Sequence, residues 1–139
     1  MSHFKTMSES LTKNIAEVKS ATKNTDLLEN LHGQEFERIV YLFQSITKSM
    51  VDIGNRIIIE NDFRNPLNTA DVFISLAEQD VIPQSIVPGV KKAAIAMPKI
   101  RTYDNPELFN IITDCIGDVS RCLVSFKKYH LSRTPREWS

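Results

Sequence analysis

"EFERIVYLFQSITKSMVDIGNRIIIE", residues 35–60, carries apolar side chains along its whole length. One apolar stripe comprises Phe36, Val40, Phe43, Met50 and Ile57, and a neighbouring stripe comprises Ile39, Leu42, Ile46, Ile53 and Ile58. Apart from the last step of the second stripe, which is five residues, these steps of three, four and seven residues predict one long α-helix. A surface helix needs only one apolar stripe. We therefore expect this helix either to lie at the centre of its own bundle or to bury one stripe against a partner chain.

One helix is predicted before this long helix, and a short one is predicted after it. An apolar stripe that begins at Phe4 predicts a first helix from about His3 to Ala21. After the long helix, Pro66 marks a turn. A short helix then follows, with Asn68 or Thr69 as its N-cap.

Prolines delimit the last two predicted helices. Pro83 is expected at the first position of a fourth helix. Pro98 must kink or end that helix, because proline lacks the backbone donor of an α-helical hydrogen bond. The fifth helix is predicted to open with Asn105 as its N-cap and Pro106 at its first position.

Composition favours the same fold class. Only four glycines and six prolines occur among 139 residues, which argues against a β-sandwich or barrel with many tight turns. We predict an all-α fold, an antiparallel up-and-down bundle of four to five helices, over residues 1–130, and a C-terminal tail over 131–139. Cys115 and Cys122 lie about 10 Å apart on the last helix, too far for a disulfide, and are expected to be small buried side chains in a reducing compartment.

Charge and hydropathy give little indication of a partner. The 17 basic and 17 acidic residues balance, whereas nucleic-acid binders usually carry a basic excess. No apolar run approaches the roughly 18 residues of a membrane span, and the N-terminus lacks the apolar core of a signal peptide. These features predict a cytoplasmic protein without a membrane partner.

No metal site or cofactor is predicted. The three histidines, His3, His32 and His130, are far apart in the sequence, and none has a second ligand at metal spacing. No glycine-rich phosphate loop is present, and neither cysteine has the surroundings of a nucleophile.

A first polar cluster lies on the long helix. Asp52, Asn55 and Arg56 are within about one turn of each other among apolar neighbours, and this arrangement is one candidate for a binding site. The alternative is a solvated face, because Asp52 and Arg56 have the spacing of an i,i+4 ion pair.

A second polar cluster follows Pro98. Lys99, Arg101 and Tyr103 come directly after an apolar helix, and arginine and tyrosine can bind phosphate or stack on a base. The alternative interpretation is the solvated end of a helix.

Three segments in this order resemble the HepT-like family of the HEPN superfamily (higher eukaryotes and prokaryotes nucleotide-binding). They are VDIGNRIIIEN at 51–61, ISLAEQDVIP at 74–83 and VKKAAIAMPKIRTYDN at 90–105, and the resemblance extends over about residues 34–128. It implies a HEPN-like helical bundle that forms a homodimer. It also implies the toxin half of a toxin–antitoxin pair, with a minimal nucleotidyltransferase as partner. Active members of the family are metal-independent ribonucleases.

The family motif is an arginine, then four to six residues, then a histidine, with a tyrosine often two positions after that histidine. The surrounding pattern resembles KKMAGFRNxLVHxY. With Lys91 and Tyr103 in register, Ala96 stands at the arginine position and Arg101 at the histidine position. In the family, the tyrosine is the residue to which the nucleotidyltransferase attaches AMP, so Tyr103 is the expected modification site.

These departures predict a lost ribonuclease motif. An alanine cannot hold phosphate, and arginine stays charged and cannot act as a general base. We expect a binding or partner protein for a nucleotide, RNA or a minimal nucleotidyltransferase, with Arg56 and Arg101 as phosphate ligands. The Asp52–Asn55–Arg56 cluster is expected to neighbour Arg101 and Tyr103 around a cleft at the dimer axis. The alternative is an active ribonuclease toxin with a variant site, in which Arg101 stabilises charge and Tyr103 or Asp52 carries the proton.

Overall fold

Six α-helices and two short 3₁₀ segments build residues 2–133, the part of the chain that this computed structural model describes, with side chains from 4 to 132. The α-helices are α1 (Ser2–Thr22), α2 (Thr25–Leu28), α3 (Gln34–Glu60), α4 (Asp71–Glu78), α5 (Val87–Ala96) and α6 (Asn105–Arg133). The 3₁₀ segments are Gln84–Ile86 and Met97–Thr102. No strand occurs between residues 2 and 133. The predicted all-α class is confirmed.

Helix α6 runs antiparallel to α1. The ring of Phe4 lies 4.4 Å from the ring of His130, between centroids, at one end of the pair. Further along, Lys127 donates a hydrogen bond to the hydroxyl of Thr12. Because the residue numbers rise on one helix as they fall on the other, the two helices point in opposite directions.

Helix α5 also runs antiparallel to α6, and the two approach closely. Lys92 Nζ lies 3.0 Å from the carboxylate of Asp114. One turn earlier, a Cβ on Gly89 would lie 2.7 Å from the Cβ of Asp118, so only glycine fits there without a shift. With α1, α3, α5 and α6 as its long elements, the chain follows the up-and-down path that the sequence predicts.

Helix α3 is the central helix of this bundle. Both of its predicted apolar stripes are buried within one chain: Phe36, Ile39, Val40, Leu42, Phe43, Ile46, Met50, Ile53, Ile57 and Ile58. Of the two alternatives, the structure therefore selects the central helix, and the second stripe requires no partner chain. The large apolar side chains that α3 leaves exposed are Tyr41 and Ile59, at 66% and 76%.

Pro98 divides the predicted fourth helix. Helix α5 ends at Ala96, and the chain continues as the 3₁₀ segment Met97–Thr102. Lys99 inside this segment departs from helical geometry, with φ −121° and ψ 28°. The change of helix type follows from the hydrogen bond that proline cannot donate.

The cap of α6 differs from the prediction. The side chain of Asp104, not Asn105, accepts the backbone N–H of Glu107 at 2.8 Å, and the Glu107 carboxylate accepts the N–H of Asp104 at 3.2 Å. This reciprocal pair is a capping box. Asn105 instead donates to the carbonyl of Leu31, and so ties the start of α6 to the loop before α3.

Two further boundaries differ from the prediction. The polar linker after α1 contains the short helix α2, which Asn24 caps by accepting the N–H of Asp26 at 2.9 Å. Helix α6 continues to Arg133, past the predicted domain boundary at residue 130. The rest of the predicted tail lies outside the described residues.

Candidate ligand site on the α5 face

Tyr103 lines a shallow depression of about 370 Å³ between α5 and α6. The lining residues are Pro88, Lys91, Lys92, Ile95, Ala96, Tyr103 and Ile111. The Tyr103 side chain is half-buried, and its backbone is extended (φ −88°, ψ 146°) because it directly follows the 3₁₀ segment. The depression therefore combines apolar walls, one aromatic ring and two lysines.

The two lysines of this depression have different surroundings. Lys92 donates to Asp114 at 3.0 Å, and this hydrogen bond raises the pKa of its ammonium group. Lys91 is half-buried and makes no salt bridge with any described side chain. The charge of Lys91 helps to lower the pKa of Asp71, which lines the neighbouring depression with it, but its ammonium group forms no salt bridge with a described carboxylate.

A second depression, of about 490 Å³, lies beside the first, between α4 and α5, and shares Lys91 and Ile95 with it. Its remaining lining residues are Leu67, Asn68, Thr69, Ala70, Asp71, Ile74, Ala94 and Pro98. Leu67 is 88% exposed and Ile95 is 49% exposed. We call the two depressions together the α5 face. It is an apolar surface with Lys91 near its centre.

Arg101 does not line either depression. Its guanidinium lies 3.3 Å from the carboxylate of Glu37 on the first turn of α3, and both side chains are more than half exposed. An exposed pair of this kind holds its partners only weakly. Arg101 therefore pairs with α3 and does not line the depression beside Tyr103, although the two residues are only two positions apart in the sequence.

Ala96, at the position of the family arginine, is only 2% exposed. It is the last residue of α5 and forms part of the floor of the Tyr103 depression. A methyl group at this point offers no hydrogen-bond donor to a phosphate.

The Asp52–Asn55–Arg56 cluster lies on an outer face of α3, where its residues line a shallow depression of about 500 Å³ together with Ile59 and Glu60. Asp52 pairs with Lys48 at 3.3 Å and Arg56 pairs with Glu60 at 3.5 Å, so the predicted ion pair between Asp52 and Arg56 is wrong. Basic and acidic residues alternate along this face, and each carboxylate pairs with the basic residue four positions before it. Asn55 is half-buried beside these charges.

Within one chain this cluster does not neighbour the second candidate cluster. Arg101 contacts α3 at Glu37, and Asp52 follows Glu37 by fifteen residues, or about 22 Å along the helix axis. A shared cleft around Arg101, Tyr103 and Asp52 is therefore not formed by a single chain.

One charged network was not predicted from the sequence. Arg64, in the loop before α4, donates to the carboxylates of Asp71 and Glu78, and Asp71 also accepts the N–H of Leu67. Arg64 holds the pKa of Asp71 below its ordinary value, mainly through this hydrogen bond, and the pKa of Arg64 is raised in return. The sequence feature that could have indicated this network is the spacing of Asp71 and Glu78, which lie seven residues apart and therefore on one face of α4.

The two cysteines are buried and unbonded to each other, as predicted. Burial raises the pKa of Cys115 to about 11, and it raises the pKa of Cys122 further. Neither thiol has the surroundings of a reactive nucleophile.

Residues 2–133 contain no group of three or more histidine, cysteine or acidic side chains that could hold a metal ion. His32 meets the side chain of Asn105, and His130 stacks on Phe4. The side chain of His3 lies outside the described residues. No helix in the described part of the chain is long and apolar enough to cross a lipid bilayer.

Together, the fold and the α5 face define an all-α bundle protein with a mixed apolar and cationic surface depression. No protein-family model matches the chain, and no curated protein does. The chain is similar in structure to YutE, a cytosolic protein of unknown function from Bacillus subtilis, with a TM-score of 0.68. The two are 15% identical, over 90% of this chain and 91% of YutE. At this identity the likeness shows the fold alone.

Proposed function

We propose that this chain is a HepT-like protein of the HEPN superfamily that has lost ribonuclease chemistry and binds a nucleotide or an RNA end on its α5 face. The observation that carries the proposal is the Tyr103 depression, in which a half-buried ring and Lys91, which forms no salt bridge with a described side chain, share one largely apolar surface. A minimal nucleotidyltransferase is the proposed protein partner, a homodimer the proposed assembly, and the cytoplasm the proposed compartment.

The chemistry of the depression suits a nucleotide. A base can pack on the ring of Tyr103 and on the apolar wall, because aromatic stacking is tolerant of base identity. A phosphate can then pair with Lys91, which no described carboxylate neutralises by a salt bridge. A volume of about 370 Å³ is within the range of small-ligand sites.

Binding without cleavage is favoured by the separation of the charged groups. The family mechanism needs an arginine and a proton carrier on one phosphate. Here residue 96 is a buried methyl group, and Arg101 lies beside Glu37 and does not line the depression. The alternative of an active variant site would need Arg101 to act together with Tyr103 or with Asp52. Arg101 does not line the depression that Tyr103 lines, and its partner Glu37 lies fifteen residues before Asp52 on α3.

The half-buried position of Tyr103 also bears on modification. Its side chain is partly open to solvent at the rim of the α5 face, where a nucleotidyltransferase would have to reach it. AMP attached there would lie beside Lys91. We propose Tyr103 as the site of AMP attachment on this ground and on the family resemblance.

Fluorescence anisotropy with labelled ATP and a labelled short single-stranded RNA tests the proposal. Lys91→Ala is expected to weaken binding about tenfold, the usual effect of removing one charge-assisted contact. Lys128→Ala is the matched control, because Lys128 is an exposed lysine of α6 that lines neither depression. Absence of binding by the wild-type protein, or equal loss in the two variants, would contradict the α5 face as the binding site.

A further inference from the structure

The outer face of α3 carries four exposed side chains that the proposed ligand site does not use. Tyr41 and Ile59 are large apolar residues, 66% and 76% exposed. Lys48 and Asp52 lie between them, with side chains 71% and 62% exposed. Steps of seven, four and seven residues keep all four on one side of the helix. We call this surface the α3 face.

The α3 face is symmetric in the sequence about the level of Met50. Tyr41 precedes Met50 by nine residues and Ile59 follows it by nine. Lys48 precedes it by two and Asp52 follows it by two. An apolar residue thus mirrors an apolar residue, and a base mirrors an acid. This pattern is the one that a self-complementary, two-fold interface requires.

We propose that a second copy of this chain docks on the α3 face, with the two α3 helices antiparallel and the two-fold axis at the level of Met50. This inference rests on the homodimer in the proposed function and names the surface that forms it. Tyr41 of one copy then packs against Ile59 of the other, at both ends of the contact. Lys48 of one copy faces Asp52 of the other, twice, near the axis.

The charges of the α3 face favour a second copy of this chain over a different protein as the binding partner. Within one chain, Lys48 and Asp52 form an exposed i,i+4 pair at 3.3 Å, which contributes little to stability alone. When two such pairs meet antiparallel, every charge gains a second opposite neighbour. The resulting cluster of four charges has no net charge, and neither acid nor base is left in excess.

The borders of the α3 face leave room for a partner helix. On one side, Arg38 of α3 pairs with Glu17 of α1 at 2.6 Å. On the other side, Glu37 pairs with Arg101 of the 3₁₀ segment at 3.3 Å. These pairs hold the neighbouring elements beside α3, and Tyr41 and Ile59 remain uncovered.

Two charge variants test the interface in sedimentation-velocity experiments on the full chain. Lys48→Glu gives a face with two acids, and Asp52→Lys gives a face with two bases. Each variant alone is expected to sediment as a monomer, because like charges meet across the axis. An equimolar mixture is expected to recover a species of twice the chain mass, because acid then faces base at both positions.

Each variant replaces an exposed intrahelical ion pair by an exposed like-charged pair, a small cost, so circular dichroism is expected to show an unchanged helical fold. Ile59→Ser is expected to weaken the dimer, whereas Val124→Ser, at an exposed apolar residue of α6, leaves it intact. Wild-type protein that stays monomeric would overturn the homodimer itself. A dimer that survives in both charge variants alone, or that is lost with Val124→Ser, would overturn this face and leave the homodimer standing.

Discussion

The guanidinium of Arg101 lies 3.3 Å from the carboxylate of Glu37, a residue 64 positions earlier in the chain. This contact joins the 3₁₀ segment after α5 to the first turn of α3. Arg101 does not line the depression that Tyr103 lines, and the lining of that depression contains no arginine.

Arg101 and Arg64 are expected to differ in their contribution to stability. Arg101 has one exposed partner, whereas Arg64 donates to two carboxylates and lies beside the buried Asp71. Since isolated surface pairs stabilise proteins little, Arg101→Ala should leave the urea midpoint almost unchanged. Arg64→Ala should lower the midpoint clearly. The reverse order would contradict the assignment of a structural role to Arg64.

The Asp71 carboxylate makes stability depend on pH in the acid range. Because Arg64 and the N–H of Leu67 hold its pKa below the unfolded value, the unfolded state binds more protons as the pH falls. The stabilisation is complete above the unfolded pKa of about 3.9 and is lost as the pH falls through the folded pKa. Asp71→Asn should therefore lower the free energy of unfolding on the order of 1 kcal/mol at pH 7, and the difference should shrink in acid.

Asp114→Asn is the control for this pH dependence. The Asp114 side chain is 59% exposed and contacts Lys92 alone among the described side chains, so its loss should change stability little at any pH. Equal effects of the two substitutions on the free energy of unfolding, measured by urea denaturation from pH 3 to pH 7, would show that Asp71 is not the source of the pH dependence.

Gly89 and Gly117 give a matched pair for the packing of α5 on α6. A Cβ on Gly89 would lie 2.7 Å from the Cβ of Asp118, whereas a Cβ on Gly117 would approach only the flexible end of Arg121, at 3.7 Å. Gly89→Ala should destabilise the fold by about 1–3 kcal/mol through overpacking. Gly117→Ala should stabilise it by up to about 1 kcal/mol through helix propensity. Thermal unfolding that reverses this order would show that the two helices are further apart.

Both thiols should resist labelling in the native state. Cys115 and Cys122 are fully buried, and burial raises the pKa of Cys115 to about 11, so little thiolate is present at pH 8. A disulfide reagent such as DTNB is expected to react only when denaturant unfolds the bundle. Rapid reaction of native protein would mean that α6 is not packed as described.

The helical path was predictable because apolar periodicity dominates it. The stripes of α3 and α6 repeat over many turns, and Pro98 had to end or bend a helix. The second stripe of α3 can pack against its own bundle or against another chain. The choice depends on how many helices surround α3, and the sequence of α3 alone does not contain this information. The cap of α6 was missed because Asp104 and Asn105 are adjacent and both suit an N-cap.

The candidate site was less predictable, for a geometric reason. Arg101 and Tyr103 are two residues apart, and their relation depends on the backbone after Pro98, which leaves helical geometry at Lys99. On α3, the alternating charges allow Asp52 to pair with Lys48 or with Arg56, since both lie four residues away. Spacing alone therefore predicts that these charges pair, and only side-chain conformation decides which partner each takes.

We propose that this chain binds a phosphate-bearing ligand without cleaving it. The decisive measurement is incubation of the purified protein with end-labelled RNA, followed by a denaturing gel, with Arg101→Ala run in parallel. We expect intact RNA with both proteins. RNA that is cleaved by the wild-type protein and spared by Arg101→Ala would contradict the proposal, because Arg101 would then act on phosphate in a working site.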